Sequence, residues 1–530
     1  MNVAEYIVES LMKQGICHVF GYQGGNITYV IDAIGRRKTI HYIQTYHEQG
    51  AAFAANAYAQ VTGKFGVAIS SSGPGAINMI NGIANAYYDS IPCLFITGNI
   101  TTYTMRDSDN IRQNGFQEAD IVSMVKGITK YAVTIRSVED VPKILEYAIL
   151  QMKTGRPGPV LLDIPHDVQR AEINYQPMDF VGEICESPLL SDSVAMEIVK
   201  KMENASQPVL LLGGGCRSEV ARREIHTLLQ KMPVPVVVSL CGIDVLPNDH
   251  ECYRGMIGDY GHSYSNQILQ EADLVLVLGS RLDERQRCVS KEEFLKNADV
   301  VRVDIDRYEL QNAHGKAMNI CMSVEKFVQK LNEYTFTLKN SPIWLKETRE
   351  WQQGVFDEKQ LIFGSSVQNK LEKLIEQYVQ DRVVCVDVGC HQMAAAQAIK
   401  IGKNSNYLNS GGLGSMGYAL PAAIGAYYGK PDRKIICVAG DGGIMMNLQE
   451  LQVIARERLP IMIIIMNNNA LGMIKAYQDV AFEGRNYGSC WGYVSSDFQK
   501  IADAFEIDYY KVDETLGKEI KLPAIIEIEV

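Results

Sequence analysis

The stretch from Gly440 to Met473, GDGGIMMNLQELQVIARERLPIMIIIMNNNALGM, constrains this chain more than any other. An apolar strand, Lys434 to Ala439, runs into Gly-Asp-Gly. A helix-compatible segment follows, then a second aliphatic strand, Ile461 to Met466, which ends in three asparagines. Strand, helix and strand at this interval predict two adjacent parallel strands with Asp441 and Asn468 at their carboxyl ends, where doubly wound sheets bind ligands. Carboxylate and amide oxygens suit Mg²⁺, which takes its remaining oxygens from phosphate and water. The glycines let main-chain N–H groups approach a diphosphate. A bare Gly-Asp-Gly serves equally as a parallel-sheet turn with a structural aspartate. Here it comes together with the interval, the asparagines and Leu471-Gly472-Met473.

At 530 residues the chain has room for about three domains. A net charge of −11 with no basic block argues against nucleic acid as a partner. The longest aliphatic runs are too short to span a bilayer, and MNVAEYIVESLMKQG reads as an amphipathic helix rather than a signal peptide. Twelve cysteines without CxxC pairs read as reduced, mostly buried thiols. A soluble cytoplasmic enzyme is the expectation.

Residues 1–170 alternate helix-like and strand-like segments. In that region VAISSSGPGAINMINGIANAYYDSIPCLFITGNI (67–100) reads strand, Gly-rich turn, helix, proline, strand, as do residues 436–469. This is an internal repeat, two sheets built alike. Glu48 follows a strand and opens an Ala-rich helix, where an acid also suits the helix dipole. Residues 171–190 read as an acidic linker and 336–360 as a charged connector. The middle region, 191–335, has branched strands at 209–215, 234–240, 273–280 and 300–306, the pattern of a parallel sheet with helices on both faces. Gly213 to Gly215 is not a GxGxxG fingerprint, so the glycines alone do not argue for a dinucleotide. A third domain is expected over 360–530.

The Gly440–Met473 stretch resembles the thiamin-diphosphate signature, and its wording is close to the acetolactate synthase branch of that family. The resemblance covers nearly the whole chain. It implies three doubly wound α/β domains, pyrimidine-binding, central and diphosphate-binding. It assigns Asp441, Asn468 and the Ala470 carbonyl to Mg²⁺, and Gly440, Gly442, Gly443, Leu471, Gly472 and Met473 to the diphosphate side. Glu48, in HEQGA, falls on the glutamate that bonds N1′ of the aminopyrimidine and assists proton removal from the thiazolium ring. Gly414 and Met416 fall on the main-chain partners of the pyrimidine, and Met446 on the bulky residue that holds the two rings bent together. Gly24, Gly25 and Gly73 border the ligand. Phe116 and Gln117 match a loop near the reacting carbon.

In the anabolic branch the middle domain carries FAD, which the resemblance places on Arg156, Gly213, Arg281, Asp304 and Asp306; catabolic relatives lack the flavin. Arg285 falls on the arginine that binds the acceptor's carboxylate, a task suited to a guanidinium fork. Five positions depart from the family: Gln23 for proline, Asn26 for a small residue, His166 for lysine, Asp259 for methionine and Tyr477 for tryptophan. Asp259 is expected to be hydrated or paired with Arg285. Family members continue beyond a terminal strand such as PAIIEIEV with a tail over the site, which implies a more open site here.

The resulting expectation is a thiamin-diphosphate- and Mg²⁺-dependent carboligase, joining two pyruvates into 2-acetolactate with loss of CO₂. It would act as a homodimer or homotetramer with sites between subunits, and with a regulatory subunit as a further partner. Transfer of the same donor to a keto-sugar or other ketone is the alternative, and a non-catalytic regulatory paralogue a third.

Overall fold

Runs of branched aliphatic residues bounded by glycine turns make three sheets in the computed structural model. It describes all residues except 109, 178, 180–188, 289, 291–292, 312–316, 339, 355–361, 377–380 and 516. The first sheet contains β1 (His18–Gly21), β2 (His41–Gln44), β3 (Gly66–Ser70), β4 (Cys93–Asn99), β5 (Tyr131–Thr134) and β6 (Val160–Pro165), in the order β2-β1-β3-β4-β6-β5. The second contains β7 (Pro208–Leu212), β8 (Val236–Val238), β9 (Tyr253–Met256), β10 (Leu274–Leu278), β11 (Asp299–Asp304) and β12 (Met318–Cys321), in the order β12-β11-β10-β7-β8-β9. The third contains β13 (Arg382–Val386), β14 (Asn406–Asn409), β15 (Lys434–Gly440), β16 (Ile461–Asn467), β17 (Asp508–Lys511) and β18 (Ala524–Glu529), in the order β14-β13-β15-β16-β18-β17. The first and third orders are the same, so the internal repeat is one of topology. The middle order is that of dinucleotide-binding folds.

The chain divides into two compact units. One holds Met1–Cys185, Val383–Gly389 and Leu408–Val530, and with them the first sheet and most of the third; the other holds Glu186–Arg382 and Cys390–Tyr407, and with them the second sheet. Half of the expected 171–190 linker, 178 and 180–188, lies outside the described residues.

In the first unit the helix Glu48–Thr62 buries Ala51, Ala52, Ala54, Ala55 and Ala57. Small residues on that helix let the helix Ala419–Gly429 approach until a Cβ on Gly425 would run into the Ala54 carbonyl. The Ala-rich helix is capped by His47, whose Nδ1 accepts the Gln49 N–H at 3.1 Å, and ends at Gly63 with φ +68°. Its two ends are thus settled locally, and Glu48 stands in its first turn.

After Gly440 the helix-compatible segment forms three pieces. Asp441–Ile444 is helical, Met445–Glu450 is a 3₁₀ segment broken at Asn447 (φ −136°, ψ 34°), and Leu451–Glu457 is helical again. Asn447 is turned aside because its amide donates to the Gly417 carbonyl at 2.8 Å.

In the second unit Asp244 is 3 % exposed. Burial pushes its carboxyl up, but Arg217 and Arg222, each at 2.9 Å, outweigh that and hold it at about 2. The charged connector proves to contain the helix Ser341–Gly354, which belongs to this unit. Trp344 is buried edge-on against Trp351. The Arg254 guanidinium reaches Thr348 Oγ1 at 3.0 Å and the Leu345 carbonyl at 2.7 Å. Charge along the connector's solvent face concealed that apolar anchor. Among the described residues no helix is long and apolar enough to cross a membrane.

Candidate active site

β15 and β16 pair in parallel with Gly440 opposite Met466, so Asp441 and Asn468 leave neighbouring strand ends. Asp441 is 2 % exposed. Burial raises its pKa, opposed by the Tyr493 hydroxyl, at 3.0 Å from Oδ2, and by main-chain N–H groups including those of Gly442 and Asn468. Asn468 Oδ1 accepts the Ala470 N–H at 3.2 Å, and Ala470 is buried. Leu471 lies over Gly442, where a Cβ would stand 2.7 Å from Leu471 Cδ2. Gly472 and Met473 open the helix Gly472–Ala481. Among the described residues no group of three or more His, Cys, Asp or Glu could hold a metal. The oxygens at these strand ends are instead one carboxylate, one amide and a carbonyl, donor types that suit Mg²⁺.

A second element converges on this turn. Asp387, just past β13, is buried, and both its oxygens accept the Gly417 N–H, at 3.0 and 2.9 Å. Burial pushes it up to about 7, opposed by main-chain N–H groups of Val388 and the 417–419 turn. A Cβ on Gly443 would come within 3.1 Å of Asp387 Oδ2. Gly414 (φ +71°) and Gly417 (φ +82°) adopt left-handed conformations around Met416, whose Cε is near the GDG turn. Met446 stands beside Gly417 and is 53 % exposed. The aspartate therefore holds the 414–417 loop while packing against Gly443.

Four polar residues along Asn78–Asp89 face the same loop and Glu48. Asn78 Nδ2 donates to Glu48 Oε2 at 3.0 Å. Asn81 joins Gln49 (3.1 Å) to Ser415 (2.8 Å). Asn85 accepts from Ser410 at 2.5 Å, and Asp89 accepts the N–H groups of Gly411 (3.1 Å) and Gly412 (2.6 Å). Their spacing puts them on one helix face. Glu48 is 8 % exposed. Behind it Glu450 is fully buried and accepts the Tyr46 N–H on both oxygens. Burial pushes Glu450 up to about 8.

Gly24 lies against Ser71, Gly25 is open, and Gly73 (φ +58°) lies against the Gln117 carbonyl. Gln117 itself has φ +64°, and Phe116 is 85 % exposed. Asn26 bonds Ser72 Oγ at 2.6 Å. Tyr477 is exposed and edge-on to Phe482.

In the second unit Asp259 and Arg285 do not pair, and of the two expectations for Asp259, hydrated or paired, its exposed position fits the first. Their link is main chain, Asp259 N–H to Arg285 carbonyl at 2.9 Å. The Asp259 carboxylate bonds Cys288, and the Arg285 guanidinium lies 5.7 Å over the Tyr260 ring. Both side chains are exposed, so hydration removes any need for the pair. Gly213 and Gly279 stand at the ends of β7 and β10, where the strand order reverses, and a Cβ on Gly213 would clash with the Gly279 carbonyl. Arg281 pairs with Asp283 at 3.6 Å. Asp304 and Asp306 accept N–H groups of their own turn at 2.9 Å each. Arg156, in the first unit, donates to Ser90 Oγ at 2.8 Å.

Three stretches match the thiamine pyrophosphate enzyme family: its N-terminal TPP binding domain over residues 1–124, its central domain over 195–331 and its C-terminal TPP binding domain over 387–527. The large subunit of acetolactate synthase isozyme 1 from Escherichia coli is 36 % identical over 99 % of this chain and 91 % of its own length. The chain belongs to the acetolactate synthase large-subunit family. The large subunit from Lactococcus lactis is 34 % identical over 99 % of this chain and 92 % of its own, and that from Porphyra purpurea 36 % identical over 97 % and 88 %. Membership makes this a thiamin-diphosphate-dependent transferase. Against that family background, Asp387, Glu450, Asn81, Asn85 and Tyr493 are the residues that sequence reading missed. Only Asp387 carried a signal, an acid directly after an apolar strand. The others touch the site through contacts distant in sequence.

Proposed function

We propose that the chain decarboxylates pyruvate and joins the remaining two-carbon fragment to a second pyruvate, giving 2-acetolactate. The observation that carries this reading is the junction of Asp441 and Asn468 on adjacent strand ends, in a glycine-rich turn. Thiamin diphosphate, when bound, supplies the acidic carbon that adds to the 2-oxoacid and the electron sink for loss of CO₂. Asp441, Asn468 and the Ala470 carbonyl would hold its Mg²⁺. The main chain at Gly442 and Gly443 would face the diphosphate, and that at Gly414 and Met416 the pyrimidine. Glu48 would hold the proton exchanged with the pyrimidine N1′, oriented by the Asn78 amide. One C–C bond breaks in the donor, one forms between the two carbonyl carbons, and the acceptor oxygen takes a proton. The exchange is redox-neutral.

The Arg285 guanidinium is exposed over the Tyr260 ring, a planar fork suited to an acceptor carboxylate. That favours pyruvate over a neutral ketone or keto-sugar. The exposed Ile474, Tyr477 and Val480 lie on a helix with no buried residue, which supports a homodimer or homotetramer covering that face. A regulatory subunit is proposed because the relatives are named large subunits, and a cytoplasmic setting because the described cysteines are all free. For the second unit we propose FAD as a structural ligand, on its strand order alone. Gly213 is already packed on Gly279, and the redox-neutral reaction routes no step through a flavin. An isolated protein without flavin absorbance would overturn that part.

The test of the main reading is incubation with thiamin diphosphate, Mg²⁺ and pyruvate. Acetolactate and CO₂ are expected in equal amounts; CO₂ without acetolactate would point to a simple decarboxylase.

A further inference from the structure

The segment 486–496 carries none of the residues read from the sequence, yet it fastens the two halves of the cation site together. Gly488 (φ +74°) and Gly492 (φ +82°) turn the chain back over the strand ends. The Leu471 N–H donates to the Ser489 carbonyl at 2.8 Å, and the Ser495 N–H donates to Asn469 Oδ1 at 2.7 Å, so the segment is tied to the asparagine loop. On the other side Ser496 Oγ lies 3.6 Å from Met445 Sδ, and the Tyr493 hydroxyl donates to Asp441 Oδ2 at 3.0 Å. Gly442 is what admits the phenol: a Cβ there would stand 3.0 Å from the Tyr493 oxygen. A phenol keeps its proton at neutral pH, so the hydroxyl is the donor and the carboxylate the acceptor.

We infer that Tyr493 is a positioning residue of the cation site, restricting Asp441 to ligation through one oxygen and so selecting Mg²⁺ over Ca²⁺. The physical basis is coordination chemistry. Mg²⁺ demands near-octahedral geometry and takes few protein oxygens, whereas Ca²⁺ accepts six to eight, often with both oxygens of a carboxylate. A donor on Oδ2 opposes the two-oxygen mode and leaves the one-oxygen mode intact. The inference rests on the reading of Asp441 as a ligand of the thiamin-diphosphate cation.

The experiment is titration calorimetry of thiamin diphosphate into the full-length protein, once with saturating Mg²⁺ and once with Ca²⁺, for the wild type, Tyr493→Phe and Tyr493→Leu. In both variants the Mg²⁺-to-Ca²⁺ affinity ratio should fall by about tenfold, the factor one charged hydrogen bond is worth. A ratio unchanged in Tyr493→Phe overturns the inference, and so does an equal loss with both cations, the result of a merely loosened segment. A shift in Tyr493→Leu alone would trace the effect to ring packing and overturn it as well. Wild-type protein that binds thiamin diphosphate with neither cation would bring down the cofactor reading itself, a distinguishable failure.

Discussion

The turn after β3 and the turn after β15 occupy the same place in two sheets of identical strand order, and they do different things. After β3 the residues are Ser70-Ser71-Ser72-Gly73. Their hydroxyls turn inward: Ser71 Oγ accepts the Asn26 N–H at 3.3 Å, and Ser72 Oγ accepts the Asn26 amide at 2.6 Å. After β15 the residues are Gly440-Asp441-Gly442-Gly443, and a buried carboxylate faces an asparagine loop. Topology sets where a ligand can sit, because both turns lie where the strand order reverses. Residue type sets which ligand it is. A self-satisfied serine turn suits an uncharged ring edge; a buried carboxylate in a glycine-rich turn suits a cation and a diphosphate.

The comparison breaks most sharply at its charged end. Asp441→Ala should weaken thiamin diphosphate binding by about 100-fold or more, since even partners outside the ligand shell cost 10–100-fold. Ser71→Ala, the equivalent change in the first sheet, should leave that affinity within about threefold. Calorimetry in Mg²⁺ measures both, and similar losses in the two variants would erase the distinction between the turns.

Next in size is Glu48→Gln, expected to retain the cofactor and lose turnover by about 10²-fold. Near-normal turnover would remove the first sheet from the chemistry.

Glu450 links the two sheets through the Tyr46 N–H, and its expected effect is on stability. Its folded pKa, about 8, lies above its ordinary 4.5 because burial disfavours the charge. The folded protein therefore binds this proton more tightly than the unfolded chain. The resulting stability is complete below pH 4.5 and is lost as pH rises through 8. Glu450→Gln is neutral throughout, so its melting temperature should gain on the wild type by about 5 °C between pH 5 and pH 9. A difference that does not move with pH would contradict the buried proton.

A smaller change is expected at Asn81, which joins Gln49 to Ser415. Asn81→Ala should cost about fivefold in thiamin diphosphate affinity, the scale of one neutral hydrogen bond. Smallest is the acceptor effect. Tyr477→Trp should raise the preference for 2-oxobutyrate over pyruvate by only a few-fold, the limit for one methylene on an apolar contact. Competition between the two acceptors reads it directly.

How legible the molecule was follows from the range of the interactions concerned. β15 and β16 could be read because each is a short aliphatic run closed by glycine or asparagine, a local signal. The opening of the Glu48 helix was equally local. The Ser341–Gly354 helix was not, since its anchor is a tryptophan pair among charges that its solvent face also carries. The break at Asn447 went unread for a related reason: its cause is a carbonyl thirty residues away in sequence. For Asp259 the sequence left hydration and pairing with Arg285 both open, and exposure decided between them. At exposed positions water competes and the main chain decides the spacing.

The sequence by itself determined the periodic and the chemical: three runs of parallel strands, the glycine turns, the acid and the asparagines that could face a cation, and the family to which they belong. Only the tertiary structure decided how these are held. It set Asp387 against the Gly417 N–H, Glu450 against Tyr46, the asparagines of one helix face against the 410–415 loop, and Tyr493 against Asp441. Local pattern is written by backbone sterics and hydrophobic burial, which act within one element. Orientation of a buried polar group depends on which distant donor or acceptor folding brings within about 3 Å, and no spacing along the chain encodes that.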